Sequence, residues 1–142
     1  MTGSGQVVAV HTILLRSNEV LLVRRHGTGF EDGHYGLAGG RLEDGESVTQ
    51  TAARECREEI GVAIDPKDLD VIGVAHFISP TGQGVDFFLS TRRWTGEAYP
   101  RSECDDVRWC AVDALPSGTI PFVRRAIERH LLAGEWFDEV DF

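Results

Sequence analysis

No stretch of this chain approaches the ~20 consecutive apolar residues that a membrane-spanning helix needs, so a membrane protein of the helical kind is not expected. Cysteine is scarce. Cys56, Cys104 and Cys110 are too few and too scattered for a disulfide framework, and a reduced, cytoplasmic setting is the expectation. Residues Met1 to Gly5 are small and polar and lack a basic n-region, so no export signal is expected there. Basic residues are outnumbered 14 to 23, for a net charge of -9. That balance argues against nucleic acid or an anionic membrane as a partner, since both require basic patches. It is compatible with a small anionic ligand held through a divalent cation. Internal repeats and linkers are also missing, and 142 residues suit one domain, 1–142, with one sizeable core. The glycine-bearing run "GTGFEDG" lacks the Walker lysine pattern, which excludes a P-loop. His11, His26, His34, His76 and His130 show no metal spacing, and Cys104 and Cys110 do not form a zinc pair.

What is present is a regular alternation of short elements. Gln6–Arg16 and Val20–Arg25 read as two strands joined at Ser17-Asn18-Glu19, a hairpin. Gly27–Gly33 is a loop, and Tyr35–Ala38 a short extended piece. Leu69–Ile78 and Val85–Arg92 are further strands around the turn "SPTGQG", and Val107–Val112 is a last strand. "FVRRAIERHLLAG" spaces its apolar residues as a helix, with Pro121 suited to the first turn and Gly134 to the end. The tail "EWFDEVDF" is acidic and aromatic; it can dock on a surface, dock on another copy, or fray.

The best-defined helix lies in "GGRLEDGESVTQTAARECREEIGV", Gly39–Val62. Ser47 is an N-cap, Gln50 completes a capping box, and Gly61 fits the position after the last turn. At ~100° per residue, Ala53, Cys56 and Ile60 share the expected core face. Glu55, Glu58 and Glu59 stand at i, i+3 and i+4 and are expected to cluster on the other side and converge on one point. Arg54 is four residues before Glu58, and Glu46 lies just before the cap. Like charges this dense weaken a helix, and a hard divalent cation relieves them. Mg²⁺ (or Mn²⁺) takes carboxylates, water and phosphate oxygens as ligands.

This stretch resembles the box of the Nudix hydrolase family. Gly40, Glu46, Arg54, Glu55, Glu58, Glu59, Gly61 and Val62 match at the family spacing, and Cys56 stands where an aliphatic is usual. The order of elements is similar to the family's α/β/α sandwich around a mixed sheet, and "VRWCAVDALP" looks like a late strand of MutT-like members. One departure is Leu37-Ala38-Gly39-Gly40, where relatives usually carry a proline. The resemblance implies a Mg²⁺-dependent hydrolase of nucleoside diphosphates linked to a further group. It implies Glu55, Glu58 and Glu59 as metal ligands with the Gly39 carbonyl, and Glu55 or Glu58 as the base. Arg54 would orient the glutamates, including Glu46, and Glu97 or Glu103 would be a later-loop ligand. Arg24 and Arg25 end a strand beside the glycine loop, and alternation sends one of them toward substrate. Phe77, Phe87, Phe88 and Trp109 could stack a base, although strand aromatics commonly belong to the core.

Three functions are consistent with this reading. The first is a MutT-like nucleoside triphosphate pyrophosphohydrolase that gives a monophosphate and pyrophosphate. The second is a nucleoside diphosphate sugar pyrophosphatase of ADP-ribose type; those usually carry an extra N-terminal segment, whereas this chain begins almost at its first strand. The third is a non-catalytic nucleotide-binding module, which tends to lose box glutamates that are all present here. Expected partners are a nucleotide substrate, no nucleic acid and no membrane, with the chain a monomer or homodimer.

Overall fold

The computed structural model describes residues 6–141. The expectation about an export signal at residues 1–5 therefore lies outside the described residues. Eight strands alternate with two helices: β1 (Gln6–Arg16), β2 (Glu19–Arg25), β3 (Tyr35–Gly36), β4 (Ala38–Arg41), α1 (Val48–Ile60), β5 (Asp70–Ser79), β6 (Gly82–Thr91), β7 (Cys104–Ala111), α2 (Pro121–Ala126) and β8 (Phe137–Asp141). A short 3-10 turn, Pro66–Asp68, precedes β5. After α2 the chain continues helically through Ile127–Leu132 with π-type bonding. Gly134, at φ 70°, turns the chain out of this segment into β8.

β1 is the hub of the sheet. It runs parallel to β6 from Gln6 to Leu14 and antiparallel to β4 from Ala9 to Thr12. The expected β1–β2 hairpin forms only at its tip, where Leu15 pairs with Val20 and Arg16 with Glu19. Beyond that tip the strands part, and β2 pairs with β7 and β3. β5 joins β6 antiparallel and carries β8 parallel on its far side. The sheet is thus mixed.

Alternation along the strands divides the core in two. Val10 and Leu14 of β1 and Leu89 of β6 pack with Ala52, Cys56 and Ile60 of α1. Ile13, Leu22 and Phe88 face the other way and pack with Val123, Ala126 and Ile127. One helix covers each face, which is the expected α/β/α sandwich.

Three local readings change. The piece expected at Tyr35–Ala38 is two strands, and the second continues through both glycines to Arg41, because those glycines pair with Val10 and His11. The turn "SPTGQG" shrinks to Pro80-Thr81, with Gly82 and Gln83 already in β6. The acidic tail is ordered as β8 on this chain's own sheet. Strand propensity alone does not explain that placement. Asp138 is buried and accepts two hydrogen bonds from Arg125, Nε at 2.6 Å and a terminal nitrogen at 2.8 Å. This charge-assisted fork ties β8 to α2 and holds the Asp138 carboxyl below its ordinary range.

Asp138→Ala leaves Arg125 without that partner and should destabilise the fold by about 2 kcal/mol. Thermal unfolding should show a drop of roughly 4–8 °C, and amide exchange should quicken at 137–141 while α1 stays protected. Unchanged exchange in β8 would mean that its backbone pairing with β5 suffices.

Candidate active site

The capping box forms as the sequence suggests. Ser47 Oγ accepts from the Gln50 N–H at 3.2 Å, and the Gln50 side chain accepts from the Ser47 N–H at 2.9 Å. Gly61 ends the helix at φ 72° and donates to the Arg57 carbonyl. Packing of Ala52, Cys56 and Ile60 against Val10, Leu14 and Leu89 sets the rotation of α1 about its axis.

That rotation differs from expectation in one respect. The buried residues of α1 are Thr51, Ala52, Ala53, Glu55, Cys56, Glu59 and Ile60. Glu55 and Glu59 therefore flank the core face instead of lying opposite it, and they sit against β4. Gly40 makes room for them, since a Cβ there would stand 2.6 Å from the Glu55 carboxyl. Gly39 packs against the backbone of β1, and its N–H donates to Glu59 Oε2 at 3.3 Å.

Glu58 does not join this pair. Its side chain is half exposed and lies 3.2 Å from Arg54. The expected convergence of Glu55, Glu58 and Glu59 on one point is thus not seen, and among the described residues no three potential ligands are gathered around a common centre. Arg54 is the organiser. It donates to both oxygens of Glu46, at 2.6 and 3.0 Å, to Glu55 at 2.7 Å, to Glu58 at 3.2 Å and to the Arg41 carbonyl at 3.3 Å. Thr51, which the sequence reading overlooked, adds a hydroxyl donor to Glu46 at 2.9 Å.

The electrostatics follow from these contacts. The Arg54 hydrogen bonds, aided by Thr51, draw the Glu46 carboxyl down to about 2. The same bonds with Glu46 and Glu55 push the Arg54 guanidinium upward. Glu59 moves the other way. Burial comes first, then its hydrogen bond to Glu55 and the charge of Glu55, and together they raise its carboxyl far above the ordinary range; the charge of Glu103 adds to the effect. Arg54 touches Glu46, Glu55 and Glu58, whereas among the described residues no cationic side chain reaches Glu59, which accepts from the Gly39 N–H. Two adjacent carboxylates are buried with one half of the pair uncompensated.

Of the two later-loop candidates, Glu103 is the one tied to this centre. It adopts φ 61° in a turn whose Arg101 and Ser102 N–H groups donate to the Glu59 carbonyl at 2.8 and 3.3 Å. Glu97 is exposed and has no such tie among the described residues. Arg24 is engaged by Asp105 at 2.7 Å, and Arg25 by the Phe30 carbonyl at 2.7 Å with its guanidinium over the Phe30 ring. Neither reaches the glutamates in this structure. Phe88 is core, stacked between His11 and His130. Phe87 packs into the α1-side core, and Trp109 lies under Arg16. Cys56 is fully buried, and burial pushes its thiol up to about 12, in keeping with a packing role.

Known proteins resemble this chain in sequence and in fold. The family model described as NUDIX domain matches residues 5–131. The NAD-capped RNA hydrolase NudC of Pseudomonas aeruginosa is 36% identical over 121 residues, which is 84% of this chain and 40% of that protein. The chain thus spans about two fifths of the length of these relatives. The 8-oxo-dGTP diphosphatase of Escherichia coli K12 is 25% identical over 80% of this chain and 86% of its own length. Among solved structures, a MutT NUDIX hydrolase from Burkholderia pseudomallei superposes with a TM-score of 0.78 at 25% identity, covering 87% of this chain and 96% of that one.

The raised Glu59 carboxyl fixes a pH response of the metal-free protein. The native state retains a proton that the unfolded chain releases near the ordinary glutamate range. Stability is then fully present below about pH 4.5 and falls as pH rises toward the folded value. Glu46 acts oppositely, losing its contribution as pH falls from about 4.5 toward 2. In chelator, the melting temperature should decline from pH 6 to pH 9, and Glu59→Gln should flatten the decline. A wild-type curve that rises over that interval would contradict the placement of the proton.

Proposed function

This chain belongs to the NUDIX family, and on that premise we propose that it hydrolyses the pyrophosphate bond of a nucleoside diphosphate joined to a further group, with a divalent cation. The observation that carries the reading is the buried Glu55–Glu59 pair against Gly39–Gly40, which has carboxylate oxygens in excess of the cationic groups that touch them. That donor set fits a hard cation such as Mg²⁺ or Mn²⁺. Glu55 and Glu59 would hold it, with Glu58 and the Gly39 carbonyl at hand on the same helix and strand. A bound cation there supplies charge neutralisation for the pyrophosphate and acidifies water.

The chain's own groups do the rest. Arg54 fixes Glu46 by a two-point contact and Glu55 by a third bond, so the carboxylate positions are set before substrate arrives. Glu58, half exposed, is free to turn inward, and Glu55 or Glu58 is the candidate base. Glu103 approaches Glu59 from the opposite loop. Arg24 and Arg25 could serve substrate phosphates only by leaving Asp105 and Phe30. The three thiols are free and buried, which suits a reduced, cytoplasmic setting, and we read 1–142 as one catalytic domain. No helix among the described residues is long and apolar enough to cross a membrane.

Two readings of the leaving group remain in play. A nucleoside triphosphate giving monophosphate and pyrophosphate is supported by the likeness to the 8-oxo-dGTP diphosphatase over most of that enzyme's length. A dinucleotide pyrophosphate is supported by the higher identity to the NAD-capped RNA hydrolases. A panel of nucleoside triphosphates, ADP-ribose and NAD, with products resolved, separates them. The first reading predicts a monophosphate with pyrophosphate, and the second predicts two monophosphates from NAD.

Turnover should vanish in excess chelator; full activity there would sink the proposal. Glu55→Gln and Glu59→Gln should each lower kcat by a hundredfold or more. Glu43→Gln should leave it near wild type, because Glu43 is exposed and meets Arg54 only at 3.6 Å. Arg54→Ala should lower kcat with KM little changed, since its contacts are to carboxylates. A rise in KM alone would make Arg54 a substrate ligand instead.

A further inference from the structure

The net charge of -9 conceals one local reversal. Leu15, Arg16 and Ser17 at the β1–β2 turn, with Arg92, Arg93 and Trp94 after β6, line an open groove of about 520 Å³. The side chains of Arg16, Arg92 and Arg93 line it, and among the described residues the acids near them are few and distant. Arg16 lies 3.8 Å from Glu19 and Arg93 lies 3.9 Å from Asp68, while Arg92 donates to the Ser17 carbonyl at 3.3 Å. Exposed pairs at such separations contribute little, so the groove keeps positive charge.

Its aromatic wall is preorganised. The Arg16 guanidinium sits 4.0 Å over the Trp109 ring, and Trp109 stacks on Trp94 at 5.8 Å with an interplanar angle of 21°. A guanidinium 4.0 Å over an indole, beside a groove lined by two further arginines and Trp94, combines phosphate recognition with a stacking surface. The groove is also separate from the carboxylates. Gly40 pairs with Val10, six residues before Arg16 on β1, a distance of ~20 Å at the strand rise.

We infer that this groove is a second, non-catalytic ligand site that takes a phosphate ester adjoining a nucleobase. A short single-stranded oligonucleotide and a free mononucleotide both carry that chemistry. The site concerns binding alone and stands or falls apart from the hydrolytic reading.

The test uses metal-free protein in chelator, so that the carboxylate site takes no part. A labelled pentaribonucleotide is followed by anisotropy, and the Trp136→Phe protein, whose remaining indoles are Trp94 and Trp109, is followed by tryptophan fluorescence. Binding should quench the fluorescence and weaken with salt at a log–log slope of about -2, from three phosphates at ~0.7 each. The Arg92→Ala/Arg93→Ala double variant should bind at least tenfold more weakly while its melting temperature and its metal-dependent turnover of a free nucleotide stay near wild type. Arg93→Ala alone, at a side chain 81% exposed, should give a smaller loss in the same direction. Competition by AMP supports the site and names a mononucleotide as sufficient. Competition by the oligonucleotide alone supports it and names the strand. Equal displacement by inorganic pyrophosphate without quenching, unaltered binding in the double variant, or no binding at all would each overturn it.

Discussion

Everything at the centre of this molecule follows from burying two carboxylates side by side and giving a guanidinium to only one. Glu55 and Glu59 occupy the margin of the α1 core face, where desolvation penalises a charge and a second charge penalises it again. A protein of this size has little stability to set against such a pair. Arg54 secures Glu55, the Gly39 N–H touches Glu59, and in the absence of a cation a retained proton relieves the remainder. A second positive group at the pair would take the place of that proton.

The rest of the fold can be read as what keeps that pair in place. β1 carries β4 on one side and β6 on the other, so the two glycines opposite α1 belong to a strand fixed by pairing with Val10 and His11. A side chain at Gly40 would collide with the Glu55 carboxyl, and one at Gly39 with the backbone of β1. The alanine at position 38, where the family resemblance leads one to expect proline, is buried in the α1-side core and paired with Thr12. Rigidity that a proline ring would supply comes here from the β1–β4 ladder. The capping box and Gly61 set where α1 starts and stops, and its packing against the sheet turns glutamate spacing into glutamate burial.

The parts legible in the sequence are those encoded locally. Ser47, Gln50 and Gly61 bracket α1 because caps act within a turn of the helix, and the Val, Ile and Leu runs of β1 and β2 mark them as strands. The spacing of Arg54 to Glu58 correctly anticipates a contact, although Glu46 receives the stronger one. What escaped notice depends on partners far apart in the chain. β8 is acidic at three of five positions and reads poorly as a strand; it is held because Asp138 meets Arg125 and its backbone meets β5. Arg24 appears available until Asp105, 81 residues away, takes it. The expected three-way convergence of glutamates treated α1 as an isolated cylinder, whereas contact with β4 decides which carboxylates are buried.

Net charge shows the same limit from another side. A total of -9 rules out a uniformly basic surface, but it says nothing about where the fourteen cationic side chains go. The fold spends Arg54 on the buried carboxylates, Arg125 on Asp138 and Arg24 on Asp105, each at 2.7 Å or closer. Arg16, Arg92 and Arg93 are left with long contacts or a carbonyl. Close pairing removes most of a charge's field, whereas loose pairing at the surface leaves it to solvent and to whatever anion arrives. An acidic chain can therefore present a basic groove without altering its overall balance, provided the acids are consumed elsewhere by short, specific bonds. Loose pairing at Arg16, Arg92 and Arg93 is what leaves this groove positive.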